Sequence, residues 1–108
     1  TATALHFSGK AYNRPGWVLM SAYADYGAAG RQWLHRKVYA VELKANPRIY
    51  NLAHHHVDPY SGQYWDEPHA SVNRDFNRII FTSNWNAGNT DVDAYIIELP
   101  AGAIPASN

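Results

Sequence analysis

The 108 residues contain no cysteine, so no disulfide stabilises the chain and its composition does not indicate a redox compartment. Runs of like charge are also missing. Nine basic and nine acidic residues cancel, which leaves no basic surface for nucleic acid. The longest apolar runs are a few residues, too short for a membrane span. No stretch carries a capped helical period, residues 32–39 being the nearest candidate. There is no Ser-His-Asp arrangement, phosphate loop or dinucleotide fingerprint, which removes the commonest hydrolase and nucleotide-binding readings. The chain opens Thr-Ala-Thr without an initiator Met or a signal peptide. A trimmed or excised segment of an exported protein, extracellular or periplasmic, is therefore expected.

What is present is apolar and aromatic. At 46% apolar and 14% aromatic residues, with four Trp and eight Tyr, the chain has ample material for a packed core and disorder is not expected. Its length suits one domain or part of one.

Strands are expected at 5–11, 17–23, 37–43 and 48–53, separated by the turn 13–16, the Gly- and Ala-rich loop 25–32 and the turn 44–47. Residues 54–67 are too polar and too punctuated for core and read as a long loop of the kind that carries function. Three more strands follow at 68–73, 78–83 and 92–99, the first two joined by the turn 73–77 and the last ended by Pro100. In the last strand Tyr95, Ile97 and Leu99 share one face, and Ala94, Ile96 and Glu98 the other. The Gly, Pro and Ser of 101–108 predict a flexible tail.

The second group of strands echoes the first. Tyr39-Ala-Val-Glu-Leu43 returns as Tyr95-Ile-Ile-Glu-Leu99, and His6-Phe-Ser8 as His69-Ala-Ser71, each preceding an apolar strand that ends in Ser21 or Ser83. The offsets are 56 and 63 residues, as expected where strands repeat and loops vary. The fold expected is all-β: two antiparallel β-propeller blades, four strands (1–53) plus three (68–100), joined by the His- and aromatic-rich loop 54–67.

The run His69-Ala-Ser-Val-Asn-Arg-Asp-Phe-Asn-Arg-Ile-Ile-Phe-Thr-Ser-Asn84 resembles the blade repeat of the TolB-like, WD40-like propellers. There, a His or Pro-Ser strand precedes a Ser-Pro-Asp-Gly turn and an apolar strand ending in Thr-Ser. Arg74 stands where Pro is usual and Phe76 where Gly is usual, so the turn is expected to place its left-handed residue elsewhere, at Asn77. Closed propellers have about four to eight blades, so two imply further blades from a longer chain or from other chains.

Antiparallel strand order gathers His6, the loop 25–36, the loop 54–67, His69 and the loop 84–91 on one rim. This rim holds all six histidines and every tryptophan except Trp17, which is assigned to the core. His54 and His56 share one side of an extended segment while His55 points away, and Asp58, Glu67 and His69 offer further ligands for a divalent metal such as Mn, Ca or Zn. A second, weaker resemblance is to propellers of the oligogalacturonate-lyase type, which hold a metal through histidines and a glutamine at the start of innermost strands. It implies His69 and, through the repeat, His6 as ligands; Glu67 stands where another histidine is expected, and Gln63 is out of register with the glutamine. A lyase also needs a base and a charge-stabilising cation, for which His55, Tyr64, Arg31 and Arg36 are the available types.

The same rim suits recognition. Trp33, Tyr60, Tyr64, Trp65 and Trp85, interleaved with Gln63, Asp66, Asn84 and Asn86, match sugar stacking with polar hydrogen bonds, or a protein interface. The function expected is therefore recognition of a glycan or protein partner through the rim. A metal-dependent uronate lyase and a self-assembling structural protein are the alternatives.

Overall fold

The computed structural model describes residues 4–24, 30, 32–58, 66–86 and 91–108. The described residues form two antiparallel sheets and no α-helix. Sheet 1 has the order β1 (Ala4–Ser8), β2 (Trp17–Ala24), β3 (Lys37–Glu42), β4 (Ile49–His54). Sheet 2 has the order β5 (Ser71–Val72), β6 (Arg78–Ser83), β7 (Asp93–Glu98). Within each sheet every strand neighbours the next in sequence, the order of an antiparallel meander.

Alternation decides which side chains each sheet buries. In sheet 1, Trp17, Leu19 and Ser21 of β2 share a face with Val38 and Ala40 of β3 and with Ser8 of β1; this is the front. In sheet 2, Val72, Ile79, Phe81, Tyr95 and Ile97 share the back. The front of sheet 1 and the back of sheet 2 meet in one core, to which Ala11, Ala70, Phe76 and Ile104 also belong. Each of the fully buried Leu19, Ile79 and Phe76 contributes about 1.5–3 kcal/mol by leaving water. Two serines stitch the sheets: Ser8 Oγ accepts from Val72 N and Ser21 Oγ from Ala70 N, both at 3.3 Å.

The expected strands are found, with informative differences at their ends. The first is shorter than 5–11, and 68–73 shrinks to Ser71–Val72. Pro68 has no N–H to give a ladder and only accepts, from Thr82 N at 2.9 Å, and His69 takes a left-handed backbone (φ 42°) that ends the extended run. Register also revises the echo. Ser8 pairs with Leu19 and Ser71 with Ile80, so Ser21, two residues beyond Leu19, corresponds to Thr82 and not to Ser83.

The turn 73–77 holds its left-handed residue at Phe76 (φ 53°), not at Asn77. Asn73 Oδ1 accepts from the N–H groups of both Asn77 and Arg78 at 3.0 Å, which closes the turn, while burial of the Phe76 ring offsets the backbone strain. The segment 101–108, expected to be flexible, is docked on sheet 1. Ile104 enters the core, Ser107 Oγ donates to Glu42 Oε1 at 2.8 Å, and Arg48 Nη2 donates to Ala106 O at 2.9 Å. Gly16 is required beside it: its φ is +85°, and an added Cβ would stand 2.8 Å from Ser107 Cβ.

Candidate functional site

Two groups of histidines are built on the rim. The first lies where β1 and the segment before β5 run side by side. His6 Nε2 is 2.6 Å from Glu67 Oε2, and His69 Nε2 is 3.5 Å from the same oxygen. The His6 ring is stacked between Tyr23 (4.7 Å) and His69 (4.3 Å). His69 Nδ1 lies 2.8 Å from the Glu67 carbonyl and donates to it, so Nδ1 carries a proton and Nε2 is the nitrogen turned toward the carboxylate. Thr82 Oγ1 donates to the same carbonyl at 2.9 Å. One ligand atom from each of His6, Glu67 and His69 lies within 4.8 Å of the others, and all three side chains are half-buried. Two imidazoles and a carboxylate, one imidazole with its second nitrogen anchored, are a donor set for Zn or Mn; Ca prefers oxygen alone.

His54 and His56 do not join this set. As expected they lie near each other, with ring centroids 6.4 Å apart, and they line a second, polar hollow of about 370 Å³ with Gln32, His35, Arg36, Lys37 and Asn86. The turn carrying Asn86 is tied to the β4 extension through Asn86 N, which donates to His56 O at 2.7 Å. Two half-exposed tryptophans adjoin the hollow through its lining: Lys37 Nζ sits 5.3 Å from the Trp33 ring, and the His56 ring packs against Trp85 with centroids 4.3 Å apart and planes tilted by 36°. Arg36, His56, Trp85 and Asn86 all hold left-handed backbone (φ 51–59°), a concentration of non-glycine strain that marks a shaped site. Lys37, His35 and Gln32 were not singled out from the sequence, although the Arg36-Lys37 pair directly after a turn was a readable signal.

His55 is structural. Its ring is fully buried, Nε2 donates to Ala22 O at 2.6 Å, and Nδ1 accepts from Val57 N at 3.0 Å. Burial pushes its pKa down to about 4, and with both nitrogens committed it is not an accessible base. Asp66 and Asn84, expected to face a ligand, are buried instead; Asn84 Oδ1 accepts from Asp58 N at 2.9 Å. Trp17 is in the core as expected, with Tyr50 stacked on it at 5.5 Å. Arg31, Tyr60, Gln63, Tyr64 and Trp65 lie outside the described residues.

No helix among the described residues is long and apolar enough to cross a membrane. Comparison with known proteins gives no match: no family model, no curated protein and no solved structure is similar to this chain.

Proposed function

We propose that the chain is a pair of β-propeller-type blades, resembling the TolB-like repeat, whose rim recognises a glycan bearing acidic groups. The observation that carries this reading is the polar hollow of Arg36, Lys37, His54, His56 and Asn86 with half-exposed Trp33 and Trp85 beside it. Indole faces suit the apolar faces of sugar rings, and the guanidinium, ammonium and amide groups suit carboxylates and hydroxyls. Supporting the blade reading, both sheets are antiparallel meanders in one register, with the front of one against the back of the other.

Calorimetric titration with a galacturonate oligomer, and with its neutral counterpart, tests the reading. The acidic oligomer is expected to bind, and Trp33→Ala and Trp85→Ala each to weaken it about tenfold, as for a central contact residue. Lys37→Gln should narrow the preference for the acidic ligand. A wild-type chain that binds neither sugar defeats the proposal.

A second reading, a metal-dependent uronate lyase, rests on the His6, Glu67 and His69 group. A metal there would polarise the uronate carboxylate beside the proton to be removed. Against it stands the buried, acid-shifted His55 as base. Zinc or manganese should raise the melting temperature of the wild type but not of His6→Ala or His69→Ala, and turnover should release an unsaturated uronate. Metal-induced stabilisation without that product leaves the group a binding site, and the lyase reading falls.

A further inference from the structure

We infer that the chain associates head to tail with copies of itself, the exposed front of sheet 2 on one copy seating in the apolar hollow on the back of sheet 1 on the next. This goes beyond the rim site and uses none of its residues.

Register makes the two sheets comparable position by position. Ser8 pairs with Leu19 and Leu19 with Ala40; Ser71 pairs with Ile80 and Ile80 with Ile96. Leu19 and Ala40 are fully covered because sheet 2 lies on them. Their counterparts Ile80 and Ile96 are 47% and 68% exposed, yet are as apolar as if they too were covered. The opposite faces mirror this. Ile79, Phe81 and Ile97, on the back of sheet 2, are packed under sheet 1, and their counterparts on the back of sheet 1 are Val18, Met20 and Val41. Val18 and Met20 form the floor of an apolar hollow of about 570 Å³, Val18 buried and Met20 half-buried, and the exposed Phe7 (72%) and Leu43 line its walls.

The molecule therefore contains one front-to-back contact and displays, at its two ends, one further front and one further back of the same register. Seating Ile80 and Ile96 against Val18 and Met20 of a second copy repeats the packing that gathers Leu19, Ala40, Ile79 and Phe81 into one core. The polar stitch repeats as well. Ser71 holds the place of Ser8, and Gly9 the place of Val72, so Ser71 Oγ would accept from Gly9 N of the neighbouring copy as Ser8 Oγ accepts from Val72 N. That second partner is a copy of this chain because complementarity is already built into its two ends. Such a contact is heterologous, so it closes a ring or grows. On the blade reading proposed above, closure of a ring of about four to eight blades takes two to four copies of these 108 residues.

The test is the native mass of the 108-residue chain and of two variants, Ile96→Lys on the front of sheet 2 and Phe7→Lys on the back of sheet 1. At about 100 µM, where an interface of micromolar Kd is nearly saturated, the wild type should run as at least a dimer. Each variant alone should be monomeric, because every contact needs one front and one back. Mixed in equal amounts, the two should combine into a one-to-one dimer through the intact front of Phe7→Lys and the intact back of Ile96→Lys. Circular dichroism checks that each variant keeps the wild-type β spectrum; Ile80→Lys and Leu43→Lys replace either one that does not. A monomeric wild type, an assembly that survives either substitution, a variant that assembles alone, or a mixture that stays monomeric overturns the inference.

Discussion

Leu19 and Ile80 occupy the same register position in two sheets of the same strand order, and one is sealed while the other meets water. Other equivalent pairs follow chemistry to cover: Trp17, buried in sheet 1, corresponds to exposed Arg78 in sheet 2. Ile80 and Ile96 do not make that change. The contrast teaches that a strand's own pattern fixes which side chains share a face, whereas burial depends on what lies over that face. An apolar residue left uncovered in a repeat whose twin is covered points to a missing neighbour.

The largest expected effect breaks the pair directly. Leu19→Ala removes a fully buried side chain between the sheets and should lower unfolding stability by about 3 kcal/mol in denaturant titration. Ile80→Ala, measured at concentrations low enough to keep the chain monomeric, should stay within about 0.5 kcal/mol of wild type. At high concentration the two should draw closer, because assembly covers Ile80. Equal losses in the dilute state would mean that the front of sheet 2 is already covered within one chain.

Next in size is a pH effect at His55, the buried imidazole that joins β2 to the segment after β4. Its pKa falls from 6.5 to about 4 on folding, so between those values the unfolded chain binds the extra proton and the folded chain does not. Its share of stability is therefore complete above pH 6.5 and is lost as the pH falls toward 4, up to about 3 kcal/mol. Melting curves across that window should show the slope, and His55→Gln should flatten it while costing about 1–3 kcal/mol at neutral pH through the lost packing and hydrogen bonds. An unchanged slope would assign the acid sensitivity to other groups.

Much of this architecture was legible in the sequence because period-2 alternation and β-branched or aromatic runs are local signals. Residues 78–83 were read to the residue, and the two faces of β7 were assigned correctly. Failures came where long-range packing decides. No local rule places a Phe in a left-handed turn; the core under Phe76 does. Composition predicted a flexible 101–108, but Ile104 and Ser107 find partners far back in the chain, at the core and Glu42. At the rim, the echo of His6 in His69 brought two true neighbours together with Glu67. Alternation along the loop grouped His54 and His56 with Glu67 and His69 as well, which the structure does not do, because spacing within a loop does not say which way the loop turns.

The smallest effects belong to a pair of carboxylates that sharpens the same contrast. Glu42 and Glu98 hold equivalent places near the ends of β3 and β7, opposite Trp17 and Arg78. Glu42 is buried and accepts from Arg48 Nε and Nη2 at 2.8 Å and from Ser107 Oγ at 2.8 Å, with Lys44 Nζ at 3.1 Å. The Arg48 hydrogen bonds, helped by Ser107 and Lys44, hold its pKa well below the ordinary carboxylate range against the opposing effect of burial. A depressed carboxylate stabilises the fold above its unfolded pKa, near 4.5, and that stabilisation fades as the pH drops below it. Among the described residues Glu98 pairs with the equally exposed Arg78, at 3.0 Å. Glu42→Gln should therefore lower the melting temperature by several degrees at neutral pH, free the tail that Ser107 anchors, and reduce the loss on acidification. Glu98→Gln should change stability by under about 1 kcal/mol, and that small change should vanish in high salt. If the two substitutions cost the same, Glu98 is covered too, and the front of sheet 2 is not the open face that its register twin implies.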